Sequence, residues 1–189
     1  MTTRLIVFAS GTGSNFEALA EYFADRPDVA LVGLVCDHKA APVLAKAEAA
    51  HVPTILIDYR AYPTKAAAEA ALVARLPQAD GLVLAGFMRI IGPTLLAAFP
   101  ERIINLHPAL LPSFPGRSGI ADAFAYGVKV TGVTVHFVDA GIDSGRIIAQ
   151  EPVRMRPDDT LATLETRIHE VEHHLLPTTV DHLIEKGVF

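Results

Sequence analysis

The sequence predicts an α/β fold, a mostly parallel twisted sheet with helices on both faces. Two observations predict it. Short apolar runs alternate with longer Ala-rich stretches through the first half of the chain, as when parallel strands buried on both faces alternate with crossover helices. A Gly-rich turn, Gly11 to Asn15, follows the first apolar run directly and opens a helix-like stretch. With 189 residues, 51% of them hydrophobic, one core can form without metal or disulfide staples.

The elements follow in order. Leu5–Ala9 reads as a buried strand and Ser14–Ala24 as a helix. Ala30–Cys36 is the next strand, and Pro42–Ala50 a helix whose proline suits a first turn. Thr54–Ile57 is a short strand. Thr64–Arg75 is a helix that Thr64 can cap. Gly81–Ala85 is almost wholly apolar, a central strand. Arg102–Leu106 is a strand running into His107-Pro108, and a Pro- and Gly-rich loop follows to Gly119. Ile120–Tyr126 reads as helical. Thr131–Val138 alternates polar and apolar residues, as a strand near an edge would, and Arg146–Val153 pairs with it across a turn at Asp139–Gly145. Thr160–Lys186 is one long helical stretch that Pro177 should kink or break. No linker marks a domain boundary.

Composition excludes several classes of function. A net charge of −5 without a basic tail speaks against general nucleic-acid binding, which needs Lys and Arg on phosphates. The apolar run Leu5–Ala9 is too short for a signal h-region or a membrane span. The lone Cys36 sits in an apolar run, where a buried, inert thiol is expected. A cytoplasmic protein is expected, with no nucleic-acid or membrane partner.

Three stretches carry chemistry. The turn Gly11-Thr12-Gly13-Ser14-Asn15 brings backbone N–H groups to a helix N-terminus, where a phosphate is favoured. Phe16 stands where a dinucleotide fingerprint needs its last glycine, so the phosphate of a mononucleotide-like ligand fits better than NAD. A tight turn with a Ser or Asn helix cap explains the same residues equally well. Asn105 and His107 lie two apart at a strand end and point to one side. Asn can donate to a developing oxyanion and His can shuttle a proton; alone, the pair could simply bond the following loop. The loop Asp139–Gly145 holds two acids and two glycines, which turn chemistry explains. It gains a function if one Asp meets His107, because a carboxylate beside a His favours its charged form and can help move protons. His136, inside a strand, reads as a hydrogen-bonded structural residue. His169 and His173 are i,i+4 on the last helix, but the stretch is not H-E-x-x-H, and no metal is expected.

In order along the chain stand Gly11-Thr-Gly-Ser-Asn15, Leu84-Ala-Gly-Phe-Met-Arg-Ile90, Ile104-Asn-Leu-His-Pro108, Leu110-Leu-Pro112, Phe114-Pro-Gly116, and Thr134-Val-His-Phe-Val138 with Asp143 five residues on. Together they resemble the folate-dependent formyltransferases, from about residue 4 to about residue 185. The Gly-Thr-Gly-Ser-Asn start favours the branch that acts on glycinamide ribonucleotide. The resemblance implies a Rossmann-like N-terminal half within a single formyltransferase domain, with a phosphate half to about residue 100 and a catalytic and folate half beyond. It implies 10-formyltetrahydrofolate as co-substrate and a role in purine (IMP) synthesis, and it leaves a homodimer open.

By the same resemblance Asn105, His107 and Asp143 are the catalytic trio. Gly13, Ser14 and Asn15 hold the ribonucleotide phosphate. Glu172 contacts the ribose, with His169 on the same helical face. Met88, Arg89, Ile90 and Ile91 wall the folate pocket, Asp139, Ala140, Gly141, Ile142 and Asp143 lie against the pterin, and Lys65 is a basic residue near the folate. Arg117-Ser118-Gly119 and Ser144-Gly145-Arg146 depart from the family pattern. A formyltetrahydrofolate deformylase would use similar residues but would be expected to carry an added N-terminal domain. A methionyl-tRNA formyltransferase would carry a C-terminal one. A silent nucleotide-binding module would not need all three catalytic residue types.

Overall fold

The computed structural model describes residues 2–189. Among these residues seven strands form one sheet in the order β3-β2-β1-β4-β5-β6-β7. They are β1 (Thr3–Phe8), β2 (Val29–Cys36), β3 (Thr54–Leu56), β4 (Gly81–Leu84), β5 (Ile103–His107), β6 (Val130–Phe137) and β7 (Ile147–Arg154). The first five run parallel, whereas β6 is antiparallel to β5 and β7 to β6. Six α-helices connect and cover them: α1 (Ser14–Tyr22), α2 (Val43–Ala49), α3 (Lys65–Val73), α4 (Pro93–Ala98), α5 (Gly119–Tyr126) and α6 (Leu161–Glu185).

Alternating side chains of the central strands feed two cores. Leu5 and Val7 of β1 join Phe16, Leu19, Ile104, Leu164 and Leu176 on one face. Ile6 and Phe8 join Leu72, Leu82, Leu95 and Ile103 on the other. That period of two on a sheet covered twice is why these strands read as unbroken apolar runs. The chain winds outward from β1 through β2 to β3, then returns to β4 on the other side of β1. The order therefore switches between β1 and β4, where a crevice opens beyond the strands' C-terminal ends.

Two local expectations change, and one helix is added. β6 does lie next to the edge strand β7, but Thr131–Phe137 are all buried, so its alternation does not mark a solvated face. Helix α6 continues through Pro177 without a break. Proline removes one N–H, but Thr178 and Thr179 donate their hydroxyls to the His174 and Leu175 carbonyls in the preceding turn. Burial of Leu164, Ile168, Leu176, Val180 and Leu183 outweighs the proline cost of ~3 kcal/mol, since each buried aliphatic contributes ~1.5–3 kcal/mol. Helix α4 escapes a periodicity reading because it has six residues, set by Pro93 after Gly92 at its start.

Candidate active site

One cleft of about 490 Å³ lies at the switch point. The loop after β1 forms one end, the segment after β4 one wall, and the ends of β5 and β6 with the Asp139–Asp143 loop the other. Helix α6 contributes His169 and Glu172.

Its polar centre follows from strand register. β5 and β6 pair antiparallel with Asn105 opposite His136 and His107 opposite Thr134. Asn105 Nδ2 lies 3.1 Å from His136 Nε2 and 3.5 Å from Asp143 Oδ1. His107 Nδ1 is 3.5 Å from Asp143 Oδ2, and His136 Nε2 is 3.6 Å from Asp143 Oδ1. The structure thus brings Asn105, His107 and Asp143 together and adds His136, which the sequence reading took for a structural residue. The signal that could have found it is the in-register pairing of two strands each carrying a polar residue at its inner end.

The loop after β5 locks this centre. His107 Nε2 donates to the Phe114 carbonyl at 2.7 Å, which leaves Nδ1 with the lone pair in the neutral ring. The Gly116 N–H donates to Asp143 Oδ2 at 2.7 Å. His136 donates from Nδ1 to its neighbour's carbonyl, Phe137, at 2.8 Å. Asp143 itself sits in the left-handed region at φ 50°, a conformation Asp and Asn tolerate better than most residues.

Electrostatics correct one expectation. An Asp beside His107 favours its charged form, as the sequence suggested. His107 is 3% exposed, and burial pushes its pKa below the usual 6.5, against the pull of the Phe114 carbonyl and Asp143. The resting ring is therefore neutral at pH 7. Asp143 is held below the usual carboxylate range by His136 first, with the Gly116 N–H and His107 adding to it, despite its own burial.

At the other end, Gly13 is the N-cap of α1 at φ 73°. A Cβ there would come within 2.3 Å of Val43 Cγ2, so glycine is required on both conformational and steric grounds. No side chain caps α1, which answers the Ser or Asn cap alternative. Asn15 instead donates to Glu172 Oε2 at 3.0 Å, and His169 Nδ1 is 2.9 Å from the same oxygen. That contact raises the His169 pKa. Gly13, Ser14, Asn15, His169 and Glu172 thus meet at one end of the cleft.

Met88, Arg89, Ile90 and Ile91 form the wall after β4. Ile91 is buried, whereas Met88 and Ile90 are about half exposed at the rim. Arg89 donates to Asp37 Oδ2 at 2.6 Å and lies 4.6 Å over the Tyr59 ring. Asp139, Gly141, Ile142 and Asp143 line the opposite side. Asp139 closes its own turn by accepting from Gly141 N–H and the Ser144 hydroxyl. Ala140 does not line the cleft. Nor does Lys65, which is exposed in the first turn of α3 behind its Thr64 cap. Arg117, in the loop that departs from the family pattern, lines the cleft and donates to the Met88 carbonyl at 3.0 Å. Cys36 is fully buried, with burial raising its pKa. Among the described residues no cluster of three or more His, Cys, Asp or Glu could hold a metal ion. No helix among them is long and apolar enough to cross a membrane.

Known proteins share this arrangement of chain. Phosphoribosylglycinamide formyltransferase of Bacillus subtilis is 46% identical over 184 residues, which is 96% of this chain and 94% of that protein. The Mycobacterium tuberculosis protein of the same name is 46% identical over 187 residues, 98% of this chain and 86% of the other. The crystal structure of phosphoribosylglycinamide formyltransferase from Bacillus halodurans superposes with a TM-score of 0.94 at 45% identity, covering 98% and 97% of the two chains. The formyl transferase family matches residues 3–180, and the chain belongs to that family.

Proposed function

We propose that this enzyme transfers the formyl group of 10-formyltetrahydrofolate to the amine of glycinamide ribonucleotide, releasing formylglycinamide ribonucleotide and tetrahydrofolate in purine synthesis. The observation that carries the proposal is one cleft holding an Asn-His-Asp centre between a helix N-terminus fit for phosphate and an apolar wall fit for a flat heterocycle. Relatives named for this activity, at 46% identity over nearly the whole chain, support it.

The chemistry is acyl transfer between nitrogens. The amine attacks the formyl carbon, a tetrahedral oxyanion forms, and the bond to the folate nitrogen breaks. Asn105 is the oxyanion donor: its longer contact, 3.5 Å to Asp143, is the one a formyl oxygen can replace. His107 takes the amine's proton on its free Nδ1, and Asp143 stabilises the imidazolium so formed. The same proton then serves the departing nitrogen. His136 positions Asn105 and Asp143. The phosphate loop with Asn15, His169 and Glu172 fixes the ribonucleotide, and Met88 to Ile91 with the Asp139–Asp143 loop fixes the folate.

The direct test is tetrahydrofolate release from 10-formyltetrahydrofolate with and without glycinamide ribonucleotide. Release only with the amine is expected; equal release without it would make the enzyme a hydrolase.

Two further results are expected. A charge at the buried Ile91, as in Ile91→Asp, should raise the folate KM ~10-fold or more and leave the ribonucleotide KM within about twofold. The reverse pattern in steady-state kinetics refutes the wall assignment. Because activity needs His107 neutral, kcat/KM should fall only as pH drops through a value below 6.5. A pH–rate profile whose acid limb lies above 6.5 contradicts a neutral resting His107.

A further inference from the structure

The geometry points to Glu69 as a positioning residue for the folate wall, a part it plays from outside the cleft. This inference rests on the folate reading of that wall. Glu69 lies on α3, is completely buried, and is not among the cleft residues. Its two carboxylate oxygens accept from the backbone N–H groups of Gly92 at 2.6 Å and Leu95 at 3.2 Å. Gly92 directly follows Ile91, the one fully buried residue of the wall, and is the N-cap of α4.

Two unpaired N–H groups at a buried helix start need an acceptor. Gly92 has no side chain to supply one, and Pro93 fixes the turn. Glu69 supplies both bonds, and in doing so fixes where the segment Met88–Ile91 ends. The glycine at 92 exists for this contact. Its φ of −98° is open to any residue, yet a Cβ there would meet Glu69 Oε2 at 2.7 Å. The other end of the segment is fixed separately, by Ser10 Oγ accepting from Met88 N–H at 2.9 Å and by Arg89 on Asp37. The wall is thus strung between polar anchors, and Glu69 is the one at its α4 end.

Glu69→Gln keeps the shape but turns an N–H donor toward one of the two backbone N–H groups, leaving it unbonded. The segment should loosen at Ile91 while the phosphate loop and the catalytic centre, built on β1, β5 and β6, stay in place. The folate KM should rise about tenfold, the scale of one lost charge-assisted bond. The ribonucleotide KM and kcat at saturating folate should change less than about threefold. A merely structural role would lower the melting temperature and leave the ratio of the two KM values unchanged, which overturns the inference. Gly92→Ala displaces the same carboxylate from the opposite side, so it gives the same readout if the Gln variant does not fold. Equal KM values for folate in both folded variants and the parent also overturn it. If the parent enzyme itself shows no folate-dependent turnover, the fault lies with the folate reading and not with Glu69.

Discussion

Replacing Asp143 by Asn should cut turnover by ~10²-fold or more while the fold and both substrate affinities remain near those of the parent. The substitution is unusually clean here. Asn tolerates the left-handed backbone at φ 50° as well as Asp does, and its amide oxygen can still accept the Gly116 N–H. What it loses is the charge that makes an imidazolium at His107 affordable inside a buried site. Asp143 raises the His107 pKa, so its loss should also move the acid limb of the pH–rate profile to lower pH. His107→Asn should be similarly severe. The double variant should be far less than additive, because proton acceptor and counter-charge act as one unit. Steady-state kinetics on both single variants and the double, with circular dichroism to confirm folding, decide the matter. A folded Asp143→Asn enzyme with near-normal turnover would leave Asp143 as a turn residue only.

The second large effect is expected at Gly13. Gly13→Val puts a branched side chain at φ 73°, against Val43 with a Cβ contact of 2.3 Å. The left-handed backbone costs roughly 1–2 kcal/mol and the overlap roughly 1–3 kcal/mol more. For a chain of this size that lowers the melting temperature by roughly 4–20 °C. The loop that moves is the one proposed to present N–H groups to phosphate, so ribonucleotide affinity should fall ~100-fold at a temperature where the variant is folded, while folate affinity holds. Calorimetry with each ligand separately tests this; equal losses for both show that the loop does not hold the phosphate.

Both positions stand out in the sequence, and the difference between legible and hidden features is physical. Strands of the parallel half are apolar on both faces, so β1, β2 and β4 announce themselves within a residue or two of their ends. Asn105 and His107 stand out as polar residues at a strand end and Asp143 through the family resemblance, and the structure brings the three together. His136 was passed over because its role depends on cross-strand register, a long-range property. The pull of burial on the His107 pKa is hidden because desolvation comes from the surrounding chain, whereas the one Asp is visible as a letter. Lys65 and Glu69 lie one helical turn apart. Lys65 stays in solvent, whereas Glu69 is buried and accepts from the Gly92 and Leu95 N–H groups, a pairing that no local pattern announces. Pro177 was over-weighted because its penalty is local and the burial that offsets it is not.

The bond from Asn15 to Glu172 joins residues 157 positions apart, and that separation orders events during refolding. Loops of such length close late, after the local β-α units have formed. An enzyme diluted from denaturant should therefore regain helix signal before α6 docks on α1, and ribonucleotide affinity should return only with docking. A fluorescent ribonucleotide analogue present in the refolding buffer would then report the last step of chain assembly, lagging far-ultraviolet circular dichroism.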